Sequence, residues 1–203
     1  MPHLTPLEDS EIEDGFIKER FAHYAVTRGF TPNSIRTMAR RPEMVKAFMA
    51  LNQAVLYEGT VSEELKMLIS LMSSFVAGCL YCQSHMANLS HIYNASDEKI
   101  AAILDYENSD VFSPAERAAL NLANKAAQVP NEATQAEFDE LKKHFNESEI
   151  VEIVEIVGAI ALFGYLNRWN DTMATVLEPL PSSRAERIIG KAGWQAGKHE
   201  GDA

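Results

Sequence analysis

Two cysteines carry the clearest chemical signal in this sequence. Cys79 and Cys82 are the only 2 cysteines of the 203-residue chain, and they stand three positions apart. A pair at this spacing near the start of a helix can close into a disulfide with little backbone movement. The spacing therefore predicts a redox-active dithiol. The alternative is two buried thiols that act only as small hydrophobic residues.

The position of the pair along the chain favours the reactive, ionised form of a thiol. Gly78 directly precedes the pair and can end the preceding helix, so Cys79 and Cys82 would open the next one. The unpaired N–H groups and the dipole at a helix start stabilise a thiolate over a thiol. Because the thiolate is the form that attacks peroxides and disulfides, we expect a nucleophilic cysteine here.

A histidine near the pair could carry protons. On a helix, His85 lies three residues beyond Cys82, so the two side chains are neighbours on one face. Relative to Cys79 it is six residues on, which is about 120° around the helix. Helix geometry therefore pairs His85 with Cys82, although a helical histidine can also be merely solvated or structural.

Helix signals recur along the chain and predict the framework that holds these residues. Capping residues precede apolar stretches at Thr31, Thr60, Ser96, Ser113, Thr134 and Asn146. No convincing strand pattern with a two-residue period occurs between them. The sequence predicts an all-α fold, a compact single-domain helical bundle of about eight or nine helices joined by short loops.

The chain shows no composition shift that would mark a second domain. We expect residues 1–181 to form a single all-helical domain, with the redox core at residues 60–177. Residues 182–203 are small, polar and rich in glycine, which is typical of a short helix with a loose tail or of a segment that contacts another subunit. The longest nearly uncharged run, residues 156–166, is too short to span a bilayer at ~20 residues per crossing.

Charge and cysteine content narrow the class of protein. A formal net charge of -11 argues against nucleic acid as a partner, because phosphates attract the opposite sign. The polar, acidic N-terminus lacks the pattern of an export signal, and no membrane partner is expected. Two cysteines do not make a disulfide-stapled secreted scaffold, so we expect a cytoplasmic protein.

The segment Gly78-Cys79-Leu80-Tyr81-Cys82, followed by a histidine, resembles the alkyl hydroperoxidase D-like, or carboxymuconolactone decarboxylase-like, family. The resemblance runs from about residue 60 to residue 181. It includes the stretch at residues 112–120 and the pair Asn167-Arg168.

This resemblance implies an all-helical homo-oligomer that reduces small hydroperoxides without haem, metal or other cofactor. An external dithiol reductant would return the oxidised pair to the thiol form. In the family's chemistry the second cysteine attacks and the first resolves. The resemblance thus implies that Cys82 is the nucleophile and Cys79 the resolving thiol.

The sequence departs from the family pattern at two positions. The family histidine stands four residues after the second cysteine, where this chain has Met86, so His85 is one residue early and rotated by about 100°. The family glutamate stands twelve residues before the first cysteine, where this chain has Met67. Glu64, one turn earlier, could substitute or could be an ordinary helix-start carboxylate. The candidate catalytic residues are Cys82, Cys79, His85 and Glu64, and no metal or cofactor ligands are expected.

Other functions remain open at this point. The chain could be a dithiol oxidoreductase that does not act on peroxides, or a decarboxylase of the same family, although lactone decarboxylation needs no cysteine pair. A structural zinc site could combine the two cysteines with His85 and His91, but one continuous helix cannot easily surround an ion. A non-catalytic helical protein that binds a partner is the remaining alternative.

Overall fold

The structure, a computed structural model, describes residues 2–162, 165–178, 183–191 and 193–200; of residues 161, 162, 165–168 and 183–185 it describes the backbone alone. The described ranges contain helices and no strand, which confirms the all-α prediction. The α-helices are α1 (Gly15–Arg28), α2 (Asn33–Met38), α3 (Pro42–Tyr57), α4 (Glu63–Val76), α5 (Leu80–Ile92), α6 (Asp97–Ala101), α7 (Pro114–Ala126), α8 (Gln135–Leu141), α9 (Glu147–Val157), α10 (Tyr165–Met173) and α11 (Ser183–Gly190).

The described ranges contain eleven α-helices, more than the expected eight or nine. Pro42 is the first residue of α3, and Arg41 before it is not helical, which separates α3 from α2. The long apolar helix predicted after Asn146 ends as α9 at Val157 and continues as a π-helical turn, Gly158–Leu162. Glycine weakens the interior of an α-helix, and π-turns interrupt α-helices where the regular ladder is disturbed.

A helical hairpin of α4 and α5 forms the centre of the molecule. Within α4 the side chains of Leu68, Ile69 and Leu71 are fully buried. Gly78 joins the two helices with φ +71°, a left-handed conformation that favours glycine and lets the chain reverse within three residues. The hairpin therefore holds the start of α5, where the cysteines lie, inside the protein.

The buried apolar side chains form two main clusters. The larger one unites α4 and α5 with α7, α9 and α11, and the smaller one joins α1, α2 and α3 through Phe21, Ile35 and Met49. The cysteines belong to neither. They pack in a separate small cluster with Tyr81 and Leu177.

An acidic side chain of α9 fastens the loop between α3 and α4. The Glu152 carboxylate accepts the N–H of Thr60 at 2.8 Å and that of Val61 at 3.0 Å. Lys66, which is 1% exposed, lies 3.3 Å from the same carboxylate and also donates to the carbonyl oxygens of Glu58 and Val55. Although burial opposes it, these donors together lower the pKa of Glu152.

The chain after α10 folds back over the start of α5. The Trp194 Nε1 donates to the carbonyl oxygen of Leu80 at 3.0 Å, and the Leu177 N–H donates to that of His199 at 2.8 Å. His199 is fully buried, and its ring Nδ1 lies 2.7 Å from the Thr175 carbonyl oxygen. We call residues 175–178 and 193–200 together the C-terminal strap. Pro179 and Pro181 lie outside the described residues, and no helix in the described ranges is long and apolar enough to cross a membrane.

Candidate active site

Cys79 and Cys82 stand at the start of α5, as the sequence predicts. Cys79 is the N-cap residue, and its Sγ accepts the N–H of Cys82 at 3.2 Å. The two residues form a disulfide across a Cα–Cα distance of 5.3 Å. Both are almost fully buried, at 1% and 3% exposure. The structure therefore holds the oxidised form of the pair at a helix N-terminus.

Of the two cysteines, only Cys82 is among the described residues that line a small pocket of about 50 Å³. The Nδ2 of Asn170, a buried residue of α10, donates to the Cys82 Sγ at 3.7 Å. A donor at this position favours a thiolate over a thiol when the disulfide is reduced. Most of the remaining wall is aromatic or apolar and includes Phe48, Leu56, Tyr57, Tyr81, Met86 and Leu89.

The structure brings His85 into the same pocket as Cys82. Its ring stacks on Tyr81 with centroids 4.3 Å apart and meets Phe30 edge-on at 5.4 Å. Its Nε2 lies 3.2 Å from the Glu178 Oε1, which is ion-pair distance once the imidazole is protonated. The histidine can therefore carry a proton beside the sulfur, held between two aromatic rings and a carboxylate.

A further carboxylate, that of Glu178, comes to the site from the C-terminal strap, and no sequence motif indicated it. This carboxylate accepts the Tyr81 hydroxyl at 3.3 and 3.4 Å and the Asn33 N–H at 3.4 Å. The Ser34 N–H in turn donates to the Tyr81 oxygen at 3.3 Å. Burial and the nearby Glu178 raise the pKa of Tyr81 well above its ordinary value, so Tyr81 stays a neutral donor.

Glu64, which the sequence offered either as a substitute for the family glutamate or as an ordinary helix-start carboxylate, lies away from the dithiol. It binds the Lys99 Nζ at 2.7 Å, and the same ammonium binds Glu116 at 2.6 Å. Glu64 is in the first turn of α4, whereas the dithiol follows the last turn, about 18 Å further along at 1.5 Å per residue. The structure thus agrees with the second alternative, a helix-start carboxylate in an ion-pair network, and not with a catalytic Glu64. The carboxylate near His85 is Glu178.

The two methionines at the family positions and His91 have structural surroundings of their own. Met67 is fully buried in the main core, and Met86 lines the pocket next to Cys82. His91 pairs with Asp97 at 3.7 Å rather than joining the cysteines. Within the described ranges no three His, Cys, Asp or Glu side chains are arranged to hold a metal ion. The side chains of Asn167 and Arg168 lie outside the described residues.

Comparison with known proteins places this site in a wider group. A family model, that of the carboxymuconolactone decarboxylase family, matches residues 42–125. The uncharacterized protein YdfG of Bacillus subtilis (strain 168) is 23% identical over 130 residues, which is 64% of this chain and 84% of that protein.

Solved structures extend the similarity over nearly the whole chain. The debrominase Bmp8, as a cysteine-to-alanine variant in complex with 2,3,4-tribromopyrrole, is 32% identical with a TM-score of 0.81, over 91% of this chain and 96% of Bmp8. An uncharacterized peroxidase-related protein from Ralstonia eutropha JMP134, described as an alkylhydroperoxidase AhpD core, is 25% identical with a TM-score of 0.77, over 93% of this chain and 95% of its own. The residues matched by the family model include the cysteines and His85 but neither Asn170 nor Glu178.

Proposed function

The chain belongs to the carboxymuconolactone decarboxylase family, a family of enzymes, and on that premise we propose that it is a thiol-dependent peroxidase that reduces small hydroperoxides. One observation carries the proposal: Cys82 lines a pocket together with His85, and Cys79 is bonded behind it. This arrangement fits a nucleophile that meets substrate and a resolving thiol that does not. No cofactor is part of the proposed reaction.

The first half of the proposed reaction oxidises Cys82. The reduced Cys82 gives its proton to His85, and its thiolate attacks the terminal oxygen of the hydroperoxide. The O–O bond breaks, Cys82 becomes a sulfenic acid, and the leaving alkoxide takes the proton from His85 to form an alcohol. Asn170 stabilises the thiolate, and Glu178 stabilises the protonated imidazole between the two proton transfers.

The second half returns the sulfur to a form that a reductant can use. The Cys79 thiol attacks the sulfenic sulfur of Cys82, so that an S–S bond forms, the S–O bond breaks and water leaves. The product is the disulfide present in the structure. An external dithiol then supplies two electrons by thiol–disulfide exchange and restores both thiols.

We also propose that the protein works as a homo-oligomer in the cytoplasm, where thiol reductants are abundant. The valines Val151 and Val154 of α9 lie one turn apart and are 55% and 42% exposed, which suits a contact between subunits. Light scattering on the purified protein measures the subunit number directly. A monomer at micromolar concentration would contradict this part of the proposal.

Thiol counting tests the reaction. Reduced protein treated with one equivalent of an alkyl hydroperoxide should lose two thiols per chain, while Cys79→Ser should accumulate a sulfenic acid that reacts with dimedone. Cys82→Ser should lose its reaction with peroxide. If Cys82→Ser consumed peroxide as fast as the wild type, the assignment of the nucleophile would be incorrect.

A second candidate function is reductive debromination of a small aromatic ring. The similarity to Bmp8 over 91% of the chain and the aromatic side chains Phe48, Tyr57 and Tyr81 around the pocket favour it. Two thiols and an aryl bromide would give the debrominated ring, bromide, a proton and the Cys79–Cys82 disulfide. Ion chromatography of bromide from reduced protein and a bromopyrrole measures this reaction. One bromide released per disulfide formed, without reaction toward hydroperoxides, would favour this candidate over the peroxidase.

A further inference from the structure

A second, larger pocket adjoins the one that contains Cys82. It has a volume of about 240 Å³ and lies between α1, α3 and the end of α5. The two pockets share four lining residues, Arg28, Asn52, Tyr57 and Leu89. The two pockets are therefore neighbours. We call the pocket lined by Cys82 the inner pocket and the larger one the outer pocket, after their positions relative to the sulfur.

The outer pocket is basic although the protein is strongly acidic. Arg20, His23 and Arg28 line it, and its described lining includes no aspartate or glutamate, in a chain with a formal net charge of -11. Across the described part of the chain, neither Arg20 nor Arg28 has a carboxylate within 4 Å. Tyr93 lies at the pocket edge, and the negative charge of Glu63 helps to raise its pKa. Glu63 itself does not line the pocket. Two guanidinium groups thus have no ionic partner among the residues that the structure describes.

Aromatic residues hold Arg28 in place. Its Nη2 donates to the Tyr57 hydroxyl at 2.7 Å, and its guanidinium lies 4.3 Å from the centre of the Tyr24 ring. A guanidinium fixed in this way keeps further N–H donors, and its planar fork matches a carboxylate. Because Arg28 lines both pockets, an anion bound to it would sit next to the inner pocket.

We infer that the outer pocket binds the anionic group of the substrate, and that the preferred substrates are arylalkyl hydroperoxides that carry a carboxylate on the ring. This inference rests on the proposed peroxidase function and names its substrate class. The carboxylate would contact Arg28, and Arg20 would add positive charge at the other end of the pocket. The ring would lie against Tyr57 and Leu89, which line both pockets, and the peroxide oxygen would point toward Cys82. Hydrogen peroxide would gain nothing from this pocket.

A matched pair of substrates tests the inference by kinetics. Cumene hydroperoxide and its para-carboxylate differ only in the charged group, and single-turnover oxidation of the reduced enzyme gives a rate constant for each. One charge-assisted contact predicts a preference of about tenfold for the carboxylate. Arg28→Gln should bring that ratio close to one, Arg20→Gln should reduce it by a smaller factor, and Arg28→Lys should keep most of it. The exposed Arg41→Gln is the control and should leave the ratio unchanged.

A binding measurement separates this inference from the proposed function. Calorimetric titration of the oxidised protein with 4-isopropylbenzoate and with its neutral amide needs no peroxide chemistry. Tighter binding of the benzoate that disappears in Arg28→Gln supports the anion site even if the protein reduces no hydroperoxide. Equal binding of the two compounds, or a benzoate preference that Arg28→Gln retains, overturns the anion site even if hydroperoxides are reduced.

Discussion

At the scale of single residues, contacts from other side chains fix the position of the His85 ring in the pocket that Cys82 lines. The ring is fixed by Tyr81 and Phe30 and faces a carboxylate that is itself held by two other donors. The imidazole Nε2 lies within ion-pair distance of Glu178, and the residue lines the pocket together with Cys82. That is the arrangement expected of a group that moves a proton to and from a bound substrate.

Replacing His85 should slow the oxidation of Cys82. Glutamine keeps a polar side chain of similar length but cannot shuttle a proton, so His85→Gln should lower the rate constant with an alkyl hydroperoxide by roughly 10²-fold. Stopped-flow fluorescence of the reduced protein measures this rate. His91→Gln, on the same helix but paired with Asp97, is the control and should react like the wild type. An unchanged rate in His85→Gln would remove the histidine from the mechanism.

Neutralising Glu178 should decrease the rate of Cys82 oxidation less than replacing His85 does. Glu178→Gln keeps hydrogen-bonding atoms for Tyr81 and Asn33 but removes the negative charge beside His85, so we expect a decrease in rate of about fivefold to tenfold. The same change should lower the pKa of Tyr81, because the carboxylate helps to raise it. Ultraviolet titration, referenced to Tyr81→Phe, measures that shift.

Glu186 provides the matched control for this experiment. It also comes from the C-terminal part of the chain and binds the Ser84 hydroxyl of α5 at 3.0 Å. Glu186→Gln should change neither the rate nor the titration of Tyr81. Equal effects of the two substitutions would mean that Glu178 acts only through packing of the C-terminal part.

At the scale of helices and loops, local signals were predicted well and distant contacts were not. Ser96, Ser113, Thr134 and Asn146 cap helices as predicted, because an N-cap bonds to N–H groups two or three residues away. The prediction for Thr31 is wrong, because Pro32 is the N-cap residue of α2 and the Thr31 hydroxyl donates to the Phe21 carbonyl oxygen. Thr60 has the right spacing but does not cap α4. Ser62 does, since Thr60 is bound by Glu152 from α9.

The difference between local signals and distant contacts also explains which site residues the sequence predicts. Cys79, Cys82 and His85 lie within seven consecutive positions, so helix geometry alone relates them. Glu178 and Asn170 come from a distant part of the chain, and only tertiary packing brings them to α5. Glu64 has a suitable position in the pattern, but the direction of α4 takes it to the far end of the hairpin.

The contact between Glu152 and the α3–α4 loop should contribute substantially to the free energy of unfolding. Glu152→Gln removes the charge opposite buried Lys66 and weakens the acceptor for Thr60 and Val61, so we expect a loss of about 2–4 kcal/mol in the free energy of unfolding. Urea denaturation measures this loss. Exposed Glu155, on the same helix, is the control, and Glu155→Gln should change stability by less than about 0.5 kcal/mol. Equal stabilities of the two variants would contradict the importance of the buried pair.

Gly59 belongs to the same loop and limits how it can vary. Its φ of +96° is unfavourable for residues with a side chain, and a Cβ there would lie 2.3 Å from the Glu152 carboxylate. The carboxylate can approach the loop N–H groups this closely only because position 59 has no side chain.

At the scale of the whole molecule, the C-terminal strap is what closes the site. It covers the start of α5 through Trp194, supplies Glu178 and is fixed to itself by His199. Burial lowers the pKa of His199, a shift that Lys198 strengthens while the Thr175 carbonyl and Asp171 oppose it. Tyr81, whose ring lies 5.9 Å away, stays neutral and adds no charge.

His199 should therefore make folding stability depend on pH. Well above pH 6.5, the ordinary pKa of histidine, almost no folded or unfolded chain binds this proton. As the pH falls below 6.5, the unfolded chain takes up the proton before folded His199 does, so stability decreases, by at most about 1.4 kcal/mol per pH unit for one proton. Urea unfolding at pH 7.5 and pH 5.0 should show a larger loss for the wild type than for His199→Gln.

Exposed His23 supplies the control for the pH experiment. His23→Gln should lose as much stability between the two pH values as the wild type does. An equal loss in His199→Gln and in the wild type would mean that the buried histidine does not govern the acid sensitivity of the fold.

The origin of the site in separate parts of the chain has a consequence for how such proteins diverge. The thiols and His85 lie within the stretch shared with the family, whereas Arg20, Arg28, Asn170 and Glu178 all lie outside it. Substitutions at Arg20 and Arg28 can thus change which molecule reaches the sulfur while the thiols, His85, Asn170 and Glu178 stay in place. Descendants of one ancestral dithiol protein would then acquire new substrates by altering their first helix, with the proposed thiol chemistry unchanged.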